Sequence, residues 1–60
     1  MNAKQAIQAR GTAAAVRRVM EQHRNGMTNP GDEQLARSEI RRSVLMGIPM
    51  ADIRSAVGDS

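Results

Sequence analysis

The chain predicts an all-α fold, a small domain of three helices, and three observations carry that prediction. Alanine, the best helix former, is abundant, with nine in 60 residues. No segment alternates apolar and polar residues over the length a strand needs. Two clusters of helix-stopping and helix-starting residues, Asn25-Gly26 with Asn29-Pro30 and Gly47 with Pro49, cut the chain into three segments at residues 3–24, 30–46 and 49–57.

In the first segment, Ala6, Ala9, Ala13, Val16, Val19, Met20 and His23 share one side of a helical wheel. Lys4, Arg10, Arg17, Arg18 and Glu21 crowd toward the other. Gly11 interrupts this run at a cost of about 1 kcal/mol relative to Ala, and Thr12 is a competent N-cap. The expectation is a helix over residues 3–24, with a start at Thr12 as the alternative, which would leave residues 1–11 as a flexible arm or a separate short helix. Gly26 closes the segment, where the left-handed conformation is needed, and Arg24 complements the negative end of the helix dipole.

The second segment opens with Asn29 as cap and Pro30 at the first helical position, and Asp32 and Glu33 occupy the first turn, where acids suit the dipole. Leu35, Ala36, Ile40, Ser43, Val44 and Met46 make its apolar face. Gln34, Arg37 and Arg41 lie opposite, Arg42 sits at the edge within reach of Ser38 and Glu39, and Leu45 falls off the apolar face. In the third segment, Met50, Ile53, Ala56 and Val57 share a side. Gly58 ends it, and Asp59 and Ser60 follow as a tail.

The chain forms one domain at most. It has no aromatic residue and no Cys, and its larger apolar side chains are two Leu, four Ile, four Val and five Met. A disulfide scaffold is thereby excluded. So little apolar bulk predicts a marginal monomer, or a core completed by a second copy of the chain or by a partner. No apolar run approaches the length that crosses a bilayer, and Arg17 and Arg18 interrupt the only signal-peptide-like stretch, residues 13–16. A cytoplasmic protein with no membrane partner is expected.

Nothing in the sequence suggests catalysis or a cofactor. His23 is the single His, which leaves no histidine metal cluster. No Cys nucleophile, no Ser/His/Asp arrangement and no phosphate-cradling Gly-rich loop is present. The charge is more informative. The net charge is +3, unevenly spread, and eight of nine cations are Arg. Arginine grips phosphate or carboxylate with two parallel hydrogen bonds, which predicts a nucleic acid or an acidic protein surface as partner. Codon usage in a GC-rich genome would enrich Arg and Ala equally well.

Residues 38–57 carry a further pattern. Ser43, a small residue, stands four before Gly47. Ile48 follows the glycine, and the β-branched Ile53 comes six positions after it. The segment resembles the helix-turn-helix DNA-binding family over a third of the chain. Arg42 stands where that family has an apolar residue and Ala56 where it has a larger aliphatic. The resemblance implies two packed helices, the second presenting Met50, Ala51, Arg54 and Ser55 to a DNA groove. An ordinary helix–Gly–helix corner would produce the same spacing.

The candidate nucleic-acid contacts are Arg17, Arg18, Arg37, Arg41, Arg42, Arg54 and Ser55. Arg10, Arg17 and Arg24 recur every seven residues, a stripe that a nucleic-acid backbone or an acidic groove would fit. Leu45, Met46 and Met50 form the candidate protein contact, since flexible thioethers suit adaptable interfaces. The leading expectation is a small DNA-binding regulator of bacterial or phage type. The alternatives are a phage-like inhibitor or adaptor that occupies a host protein's surface, and an Arg-helix RNA binder.

Overall fold

A computed structural model describes residues 1–58, and three helices account for most of them: α1 (Ala3–Arg24), α2 (Pro30–Leu45) and α3 (Met50–Gly58). The expected tail, Asp59 and Ser60, lies outside the described residues. The sequence-predicted bounds hold to within one residue. Met46 caps α2 rather than extending it, and α3 starts one residue later because the Pro49 carbonyl accepts its first hydrogen bonds, from Asp52 and Ile53.

α1 does not restart at Thr12. It runs unbroken through Gly11, because its N-terminus is already closed at Asn2, ten residues before Thr12. The Asn2 side chain accepts from the Gln5 amide at 2.8 Å, and the Gln5 side chain accepts in return from the Asn2 amide at 3.0 Å. This reciprocal capping satisfies two of the orphan donors at the helix start. Thr12, free of any capping role, turns inward.

Both inter-helix connections begin with the same backbone device. Gly26 and Gly47 adopt φ of +70° and +79°. After each, the next residue's amide reaches back five positions, Met27 to the Gln22 carbonyl at 2.8 Å and Ile48 to the Ser43 carbonyl at 3.0 Å. The glycine amides bond to the carbonyls of His23 and Val44. These are Schellman closures, and they require the left-handed residue that glycine supplies without a Cβ penalty.

α1 is the spine. At about 1.5 Å per residue its 22 residues reach about 33 Å, close to the 36 Å long axis of the molecule, whose shortest dimension is only 15 Å. α2 and α3 both lie on α1 and barely touch each other. A two-layer body this thin encloses few residues. The buried apolar set is Ala9, Ala13, Ala36, Ile48 and Ile53. Ala9, Ile48 and Ile53 form one cluster, with Met46 packed against it.

Thinness also corrects the expected apolar face of α2. Ala36 and Ser43 are buried, but Leu35 and Val44 are about half exposed. Only the narrow strip of α2 that meets α1 is covered, and no third layer exists to take the flanks.

The α1–α2 strip is polar at its centre. Thr12 donates to the Glu39 carbonyl at 3.2 Å, and its hydroxyl lies 2.7 Å from that of Ser43. The Gln8 amide donates to the Glu39 carboxylate at 2.8 Å, and the Gln5 amide to the Met46 carbonyl at 2.9 Å. Near the loop, the Gln22 amide donates to Asp32 at 2.7 Å, and His23 lies 3.1 Å from Glu33.

Candidate nucleic-acid interface

The polar seam sorts the charges. Asp32, Glu33 and Glu39 all sit on the α1-facing side of α2, partly covered and hydrogen-bonded to Gln22, His23 and Gln8. The cations point outward. Lys4, Arg10, Arg24, Arg37, Arg41, Arg42 and Arg54 are exposed, and among the described residues none of them makes an ion pair or a side-chain hydrogen bond. Glu39 is within helical reach of Arg42, but its carboxylate turns to Gln8 and makes no ion pair with Arg42.

The outer face of α2 is where this matters most. Gln34, Arg37, Ser38, Arg41, Arg42 and Leu45 line one shallow concavity along the helix. Their spacing follows the helical repeat, which puts them on a single face. Among the described residues, no carboxylate lines it. Every polar side chain there can donate hydrogen bonds, three of them as charged guanidinium forks.

α3 presents the residues that the helix-turn-helix resemblance implies. Met50, Ala51, Arg54 and Ser55 are all exposed, whereas Ser43, Ile48 and Ile53 are buried. Each of α2 and α3 packs more extensively on α1 than on the other.

The remaining predicted residues divide. Arg18 keeps 67% of its side chain exposed and lies 3.9 Å from Asp32, a loose pair. Arg17 is spoken for. It is half-buried, and its guanidinium donates to the Ala56 carbonyl at 2.8 Å, closing the C-terminal end of α3. The seven-residue stripe of Arg10, Arg17 and Arg24 therefore has its middle member engaged internally. Within the predicted protein contact, Leu45 is 81% and Met50 42% exposed, but Met46 packs against the core cluster.

Two features escaped the sequence reading. One is the seam, whose signal was there in the helical spacing of Gln5, Gln8 and Thr12 on the α1 side that also carries Ala9. The other is a shallow groove between α1 and α2 lined by Val16, Val19, Met20, Ala36 and Ile40, with Glu33 and Arg37 at its rim. Of these, Ala36 is buried, but two layers leave Val16, Val19 and Ile40 partly covered and Met20 exposed.

Among the described residues, no group of three or more His, Cys, Asp or Glu side chains could hold a metal. Among the described residues, no helix is long and apolar enough to cross a membrane. Compared with known proteins, the chain matches no family model, no curated protein and no solved structure.

Proposed function

We propose that the protein is a small, non-enzymatic DNA-binding regulator of bacterial or phage type that works in the cytoplasm. The observation that carries this reading is the sorting of charge. The three carboxylates of α2, Asp32, Glu33 and Glu39, are drawn into the α1–α2 seam, while Arg37, Arg41 and Arg42 stand together on the outer face of that helix, with no acid among the described residues that line it. Phosphate contacts supply most of a DNA-binding protein's affinity, and exposed unpaired arginines are what makes them. Association with a second copy belongs to the same proposal, since three of the five buried apolar residues are alanines.

Titration of a short labelled DNA duplex tests the reading. Binding is expected to weaken steeply from about 50 to 200 mM salt, as counterion release requires. No binding at about 50 mM salt would reject it, and preference for an RNA hairpin over the duplex would redirect it to RNA.

A second reading, an inhibitor or adaptor that seats on another protein, is favoured by Leu45, the most exposed large apolar side chain, with Met50 also exposed. Leu45→Asp and Met50→Asp remove that patch without touching the core. Undiminished capture of a co-purifying protein by both variants would dismiss it.

A further inference from the structure

Resting on the nucleic-acid reading, we infer that the outer face of α2, and not α3, is the main contact, that its partner is a duplex, and that it grips the phosphate backbone without reading bases. The face from Gln34 to Arg42 extends about 12 Å along the helix. Over that length a duplex carries about seven backbone charges. Arg37, Arg41 and Arg42 offer three guanidinium forks to this array, with Gln34 and Ser38 as neutral donors between them.

A duplex fits better than a single strand. Strand binding without sequence preference draws on aromatic platforms for the bases, and this chain has no aromatic residue. A rigid, straight row of donors matches a regular row of phosphates. An acidic protein surface fits less well, because tight protein contacts need desolvated anchors among the charges, and Leu45 alone supplies one, at the end of the row. Backbone contacts position a protein and carry no sequence information. On α3, Arg54 is the only exposed residue with the bidentate geometry that reads a base pair.

The test compares four forms of the full chain, one of them Arg54→Gln, on duplexes of scrambled sequence and on a single strand of equal length. One is the parent. One carries Arg37→Gln, Arg41→Gln and Arg42→Gln. The third carries Lys4→Gln, Arg10→Gln and Arg24→Gln, the same charge removed from exposed positions on α1. Circular dichroism is expected to be unchanged in both triple variants, since all six positions are exposed. At about 0.9 per phosphate contact, the α2 variant is expected to lose about 2.7 from the slope of log K against log salt. The α1 variant is expected to lose far less. Scrambled duplexes are expected to bind alike and the single strand more weakly.

Equal losses in the two triple variants would overturn the placement on α2, as would an Arg54→Gln change with the larger effect. Tight discrimination among duplexes, or equal binding to the single strand, would overturn the account of the partner. In each case the nucleic-acid reading would stand. Failure of the parent to bind any duplex at about 50 mM salt would remove both.

Discussion

The hydroxyl oxygens of Thr12 and Ser43 lie 2.7 Å apart, and both side chains are fully enclosed between α1 and α2. Thr12 donates to the Glu39 carbonyl, so Ser43 is the donor to Thr12. Two adjacent helices thus meet through a hydroxyl pair, where an apolar pair would have been the commoner choice. This pair sets their register, because a shift of either helix would leave a hydroxyl buried without a partner.

Thr12→Val keeps the shape and removes the acceptor. A loss of about 1–3 kcal/mol is expected, the cost of a buried unpaired donor, or a melting midpoint lower by about 4–8 °C per kcal/mol. The double variant Thr12→Val/Ser43→Ala is expected to lose less than the sum of the two single changes. A double-mutant cycle by thermal denaturation checks this, and strict additivity would show that the pair is not coupled.

Arg17 anchors α3 through the Ala56 carbonyl. Arg17→Ala is expected to cost about 1–2 kcal/mol and to raise amide hydrogen exchange in residues 50–58 selectively. Exchange in the α1–α2 seam is expected to hold. Duplex affinity is expected to change less than with any one of the α2 arginines. Uniform loss of protection along the chain would mean that Arg17 stabilises the whole body and not the end of α3.

Gly47 sits at φ +79°, and a Cβ there would meet only the Gln5 amide nitrogen at 3.9 Å, an ordinary contact. The cost of Gly47→Ala is therefore expected to be backbone strain alone, about 1–2 kcal/mol. Gly47→Asn is expected to cost less, since Asn tolerates this conformation. Chemical denaturation with an unchanged m-value distinguishes strain from loss of the native packing.

Asn2 and Gln5 close the start of α1, and Gln5 also donates to the Met46 carbonyl at the end of α2. Asn2→Ala is expected to fray the first turn at a cost of about 1 kcal/mol. Gln5→Ala removes both the cap and the tie to Met46, so its cost is expected to be larger. Equal effects would show that the Met46 contact contributes nothing.

Much of this molecule was legible in order. Asn25-Gly26, Asn29-Pro30, Gly47 and Pro49 located both turns, because helix ends are governed by residues close in sequence. Leu45 and the α2 arginines were correctly placed off the apolar face, since a helix face follows from spacing alone. Less legible was the fate of Gly11. Its local cost suggested a broken helix, but the Asn2–Gln5 cap and the packing of Ala9 and Thr12 on either side outweigh it.

The sequence by itself determined three helices, their ends and the outward arginines, all consequences of short-range rules. Tertiary structure alone decided which polar residues turned inward. The choice between solvent and seam for Thr12, Gln8 and Glu39, and between solvent and the Ala56 carbonyl for Arg17, depends on which groups from distant parts of the chain stand within hydrogen-bond reach. Spacing along one helix carries no record of that. It is settled when α2 and α3 come to lie on α1, with alanines that permit close approach and hydroxyls and amides that must then be paired.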